Sequence, residues 1–177
     1  MGKAIRSQAL ARDQHHDRNQ FLSFLLGGEA FALGILAIKE IIEYGPLTEV
    51  PMMPAFVRGV INLRGAVVPV IDLAARFGRP SAPNSKRTCV VIIEIAAADG
   101  KEDIGIVVDA VNEVLEIPSA EIEPPPAFGT TISADFVEGL GKVNGKFIVI
   151  LNVDKVLSVE EMTTLSRTDL AIAMAPA

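Results

Sequence analysis

The sequence predicts a mainly β protein, built as two small related barrels of about five short strands each, with short helices following the hairpins. Three observations predict this. The 177-residue chain matches itself at offsets of 80 and 73. Short apolar runs recur between turn signals. Eleven Pro and fourteen Gly leave little room for long helices.

At the offset of 80, Phe56-Val57-Arg58-Gly59 falls on Phe136-Val137-Glu138-Gly139, and Gly65, Val68, Val70 and Asp72 fall on Gly145, Ile148, Ile150 and Asn152. At the offset of 73, Phe31–Tyr44 falls on Ile104–Ile117, placing Glu40 on Glu113. The proline-rich stretch 121–126 absorbs the difference. Two related halves follow, at about 20–80 and 87–157, with a tail at 1–19 and another at 163–177 outside a single domain at 20–162.

Phe21–Leu26 and Ala30–Ile35 flank a Gly27-Gly28 turn, and Val60–Leu63 turns at Arg64-Gly65 into Val67–Ile71. Pro69 has no N–H for a ladder, which predicts an edge strand or a bulge there. Asp72 can cap a short helix that stops at Gly78. Residues 79–86, with Pro80 and Pro83, cross to the second half. There Cys89–Ile95 and Ile104–Val108 flank Asp99-Gly100. Asn144-Gly145, a strong hairpin signal, leads into Phe147–Leu151 and a helix capped by Asn152. Residues 159–177 read as a terminal helix and an Ala-rich end. Each half is expected to enclose its own core, with Val68 and Val70 in one and Ile148 and Ile150 in equivalent places in the other.

The net charge is −6 and the pI near 4.9, which argues against nucleic acid as a partner. One cysteine, Cys89, excludes an intrachain disulfide framework, and a cytoplasmic setting is expected. Residues 21–38 are the one apolar candidate for a membrane span. Glu29 at its middle would cost about 3 kcal/mol in lipid, so no direct membrane insertion is expected.

Enzyme motifs do not emerge. Gly139-Leu140-Gly141 continues to Asn144 where a dinucleotide fingerprint needs Gly. His15 and His16 sit together in a polar tail, and Cys89 opens an apolar strand, where a buried, inert thiol is expected. No catalytic residue, metal or cofactor is therefore expected. The repeat offers another test. A polar residue that the fold demands should recur in both halves, whereas one found in a single half is a better functional candidate. Arg64 falls on Asn144 and Asp109 on Leu36, so neither charge is required by the fold; Glu40 and Glu113 recur, which favours a shared structural role. On the residues alone, a small barrel protein that binds a metabolite between its halves remains an alternative.

The run Gly59-Val60-Ile61-Asn62-Leu63-Arg64-Gly65-Ala66-Val67-Val68-Pro69-Val70-Ile71-Asp72-Leu73 resembles the signature of the CheW family of bacterial chemotaxis coupling proteins. So do Gly105–Asp109, Pro125–Phe128 and Val137–Gly141. The resemblance covers about residues 20–162 and implies two five-stranded SH3-like barrels. It implies a non-enzymatic scaffold joining the cytoplasmic tips of methyl-accepting chemoreceptors to the regulatory domain of the histidine kinase CheA, with other CheW-like domains as possible array neighbours. The protein would be cytoplasmic and recruited to membrane-associated arrays. A CheW-like adaptor of another receptor–kinase pathway is the variant of this reading.

Carried over by position, the receptor groove would use Ile38, Glu40, Ile41, Asn62, Leu63, Arg64, Gly105 and Val108, with Ile38, Ile41 and Val108 as its apolar floor. Glu40 and Arg64 would meet at its edge. The kinase or array contacts would be Glu29, Gly59, Glu123 and Phe128. Gly59 matches a position where side chains are poorly tolerated, and Glu123 stands where some members carry a basic residue.

Overall fold

Short runs with inward-facing aliphatic residues give eleven strands among the residues described in the computed structural model, 19–97, 100–125 and 136–156. They are β1 (Gln20–Leu26), β2 (Glu29–Gly34), β3 (Ile38–Glu43), β4 (Val57–Leu63), β5 (Ala66–Asp72), β6 (Cys89–Ala97), β7 (Gly100–Val108), β8 (Ala110–Glu116), β9 (Ile122–Glu123), β10 (Val137–Val143) and β11 (Lys146–Leu151). One-turn helices follow the last hairpin of each half: α1 (Leu73–Arg76) and α2 (Val153–Val156). Asp72 caps α1 by accepting a bond from Ala75 N–H at 3.2 Å. The predicted terminal helix and nearly all of both predicted tails lie outside the described residues.

The repeat governs the local geometry. Arg64-Gly65 and Asn144-Gly145 turn equivalent hairpins with φ of 54° and 86° in the first and 52° and 79° in the second. Positive φ at both turn residues is what a two-residue hairpin needs to match strand twist. Asp72 N–H donates to Phe56 O at 2.6 Å, and Asn152 N–H donates to Phe136 O at 2.8 Å. The duplication is thus repeated in backbone hydrogen bonds.

The halves do not fold as contiguous barrels, however. One sheet has the order β3-β6-β7-β5-β4 and the other β8-β1-β2-β11-β10-β9. Hairpin β1–β2 of the first half lies in the sheet of the second, and hairpin β6–β7 does the reverse. The exchange obeys the repeat. Val70 of β5 pairs in parallel with Gly105 of β7, and Ile150 of β11 pairs in parallel with Ala32 of β2, each the image of the other. Pro69 is correspondingly in an inner strand rather than at an edge. The register of β5 with β7 starts at Val70, just beyond the residue that cannot donate.

The two expected cores are present, with a third cluster that was not expected. Val68, Val70, Val90, Ile92 and Val107 fill one sheet's concave side, and Phe21, Ala32, Ile117, Ile148 and Ile150 fill the other's. A third and larger cluster, including Phe24, Phe31, Leu33, Ile71, Ile93, Ile106 and Val108, lies between the sheets. It follows from the exchange: a central strand such as β7 is covered on both faces, so Ile104, Gly105, Ile106, Val107 and Val108 are all buried. Each large aliphatic side chain so buried contributes about 1.5–3 kcal/mol. The exchanged hairpins that complete the two sheets thus also supply the core that binds them together.

Candidate functional site

Sheet order puts β3 and β4 at opposite edges of the first sheet, and the chain beyond β3 reaches across to β4. Thr48, just beyond β3, forms a two-bond bridge with Val60 of β4: Thr48 N–H donates to Val60 O at 3.0 Å and Val60 N–H to Thr48 O at 2.9 Å. In the second sheet the two-residue β9 takes the matching place at the edge, pairing with Leu140 and Gly141 of β10. That sheet therefore has six strands, where five were expected.

Gly59 makes the Thr48–Val60 bridge possible. It is buried at φ +154°, and a Cβ there would stand 2.4 Å from the Thr48 carbonyl oxygen. Side chains are intolerable at Gly59 because backbone occupies the space, not because a partner docks there. The expectation that it touches kinase or array is corrected accordingly.

Beside the bridge lies a cleft of about 260 Å³, lined by Ile42, Leu47, Ile61, Leu63 and Val90 among others. Its volume falls below the ~300–1,000 Å³ of small-molecule sites, so the metabolite alternative finds no support in it. At its rim Arg64 Nη2 lies 2.7 Å from Glu40 Oε2. The Arg64 side chain is 78% exposed and that of Glu40 24%. Asn62 is exposed, and its Oδ1 accepts a bond from Gly65 N–H at 2.9 Å, which holds the turn under Arg64. Ile41 is exposed on the same strand as Glu40, whereas Ile38 and Leu63 are half-buried. Asn62 and Leu63 therefore line the cleft beside the Glu40–Arg64 pair, whereas Ile41 is exposed on the face of β3 opposite Glu40 and Ile42, and Ile38 packs against the cluster between the sheets.

Gly105 and Val108 are interior residues. Val108 is fully buried in the core between the sheets. Gly105 is buried in the same strand, and a Cβ there would sit 2.7 Å from Val90 Cγ1. Both positions are constrained by packing, and Val108 cannot floor a groove open to a partner.

Of the remaining expected contacts, Glu29 is exposed at the start of β2, with Oε2 2.7 Å from Arg79 Nη1. Glu123 is exposed on the edge strand β9. Phe128 lies outside the described residues. Asp109, absent from the matching position in the first half, accepts a bond from Gly27 N–H at 2.7 Å and so fixes the β1–β2 turn. Cys89 is half-buried; burial first, and then the nearby Glu43 carboxylate, push its thiol up and disfavour a nucleophilic thiolate.

Sequence reasoning missed one polar network. Asp72, 4% exposed, receives Arg58 Nε at 3.0 Å, Arg58 Nη2 at 2.8 Å and the Ser81 hydroxyl. Arg58 Nη1 also donates to Tyr44 Oη at 3.1 Å and Asn84 Oδ1 at 3.0 Å. The signal was available: Arg58 falls on Glu138 and Asp72 on Asn152, so this ion pair occurs in only one half.

Comparison with known proteins agrees with this architecture. The CheW-like domain family matches residues 20–161. "Chemotaxis protein CheW" of Klebsiella aerogenes is 36% identical over 81% of this chain and 84% of its own length. The protein of the same name from Rhizobium meliloti is 32% identical over 80% and 89%. The crystal structure of the scaffolding protein TtCheW from Thermoanaerobacter tengcongensis superposes with a TM-score of 0.69 at 40% identity, covering 77% of this chain and 85% of that one. With its duplicated two-sheet fold and this extent of matching sequence, the chain belongs to the CheW-like domain family.

Proposed function

We propose that this chemotaxis coupling scaffold receives a chemoreceptor tip on the cleft between β3 and β4, and holds the kinase CheA and neighbouring CheW-like domains through the ends marked by Glu29 and Glu123. Among the described residues no helix is long and apolar enough to cross a membrane. The protein works from the cytoplasm, brought to the membrane by its receptors. Receptor tips are helical hairpins, and an apolar strip with charges at its rim suits one helix face. Ile42, Leu63 and the cleft wall supply the strip, and Glu40 and Arg64 the rim.

One observation carries this reading: Arg64 sits at φ +54° with its side chain in water. A non-glycine residue in that region costs about 1–2 kcal/mol, and asparagine tolerates it better than most. A surface ion pair returns only about 0–1 kcal/mol. Stability alone does not account for arginine here. Its planar fork can hold Glu40 and still present N–H groups to a partner.

The test uses the residue that the second hairpin carries at the same place. Arg64→Asn should leave stability to urea equal or raise it by about 0.5 kcal/mol. Binding to a receptor cytoplasmic fragment should weaken by about 1–3 kcal/mol, the scale of a lost charge-assisted contact. Titration calorimetry with that fragment and with the kinase regulatory domain reads both surfaces separately. Unchanged receptor affinity in Arg64→Asn would remove Arg64 from the interface.

A further inference from the structure

The segment that crosses from β5 to β6 is fastened to both sheets. At one end Arg79 reaches β2, where its guanidinium lies 2.7 Å from Glu29 and 5.9 Å from the centre of the Phe31 ring. Two residues on, Ser81 donates to Asp72. Asn84 accepts from Arg58, which also holds the Tyr44 hydroxyl. The segment ends at Thr88, whose carbonyl accepts Tyr44 N–H at 3.2 Å. Tyr44 in turn begins the stretch whose Gly45, Pro46, Leu47 and Thr48 wall the receptor cleft. Bonded groups thus run without a break from Glu29 to the cleft wall. The charges in this run are not demanded by the duplicated fold, since Glu138 and Asn152 replace Arg58 and Asp72 in the other half.

We propose that residues 79–88 form a tether that makes the cleft responsive to what binds at Glu29. The proposal rests on the two surfaces assigned above. A partner that offers its own cation to Glu29 releases Arg79. The segment then slackens, Ser81 and Asn84 hold Asp72 and Arg58 less firmly, and the Tyr44–Thr48 wall loses part of its preorganisation. A binding site whose wall must be ordered on docking binds more weakly. The device therefore gives opposed binding at the two surfaces, transmitted through named groups rather than through distance alone.

Arg79→Ala mimics the release, and the double variant Ser81→Ala/Asn84→Ala cuts the tether. Hydrogen exchange reads the wall directly, at Tyr44 N–H and Thr48 N–H, both hydrogen-bonded in the intact protein. Arg79→Ala should speed their exchange roughly tenfold and weaken binding of the receptor fragment about 3–10-fold. Added to the double variant, Arg79→Ala should have no further effect on either quantity, because the link is already cut. Equal effects of Arg79→Ala in both backgrounds, or none in the intact chain, would overturn the tether. If exchange responds as expected but no receptor fragment binds even the unaltered protein, the tether stands and the receptor reading of the cleft falls.

Discussion

Gly59→Ala is expected to destabilise the fold by about 3–5 kcal/mol, although it adds one methyl group. The backbone at this residue lies at φ +154°, which side chains rarely adopt, and enforcing it costs about 1–3 kcal/mol. The new Cβ would stand 2.4 Å from the Thr48 carbonyl oxygen, so the closing bridge must part. Its two bonds, Thr48 to Val60 and back, each contribute about 1 kcal/mol. At this chain length the sum corresponds to a fall of about 10 °C in Tm. Gly34→Ala is the control: Gly34 has φ −58° and ψ 130°, and a Cβ there meets nothing within 4 Å. It should be neutral or slightly stabilising. Thermal melts of the two variants settle the comparison, and similar melting points would show that Gly59 is not the keystone of closure.

The duplication was legible because it lies in local features that survive divergence. The Arg64-Gly65 and Asn144-Gly145 turns, the Phe56 and Phe136 starts and the Asp72 and Asn152 ends keep their spacing. The exchange of hairpins was not legible. Parallel pairing of β5 with β7 joins residues 35 positions apart, Val70 and Gly105, and hydrophobic periodicity carries no record of which sheet a hairpin enters. In β3 (Ile38–Glu43) and β8 (Ala110–Glu116) apolar and charged residues do not alternate strictly, so those edges were hard to see as strands.

The site shows the same division. Arg64 stood out because the matching turn uses Asn144, and the structure then put it on Glu40. Gly105 and Val108 were assigned to the same groove although both belong to the interior. A strand covered on both faces has no alternation from which to tell a surface residue from a core one. Arg58 and Asp72 were visible as unmatched positions in the repeat, but their pairing needed β4 and the start of α1 to be brought together with Ser81 and Asn84.

Arg58→Ala should cost about 3–5 kcal/mol at neutral pH, because it leaves the Asp72 carboxylate buried with too few partners. Burial by itself pushes the Asp72 carboxyl up. The Ser81 hydroxyl, Ala75 N–H and Arg58 together outweigh it and hold the group below its usual value. With the folded value below the unfolded one of about 3.9, the group stabilises the fold above that pH and loses this contribution as pH falls through the folded value. Removing Arg58 reverses the balance: burial then dominates, and protonation relieves the stranded charge. The deficit of Arg58→Ala should therefore be largest at pH 7 and shrink toward pH 3. Asp72→Asn, the residue present at the matching position, removes the charge instead of stranding it and should cost only about 1–2 kcal/mol. Combined with Arg58→Ala it should recover part of the loss. Urea midpoints for the four proteins between pH 3 and pH 7 test all of this. A deficit that does not change with pH, or a double variant no more stable than Arg58→Ala alone, would mean that lost packing of Arg58 against the Tyr44 ring, 5.5 Å away, outweighs the stranded charge.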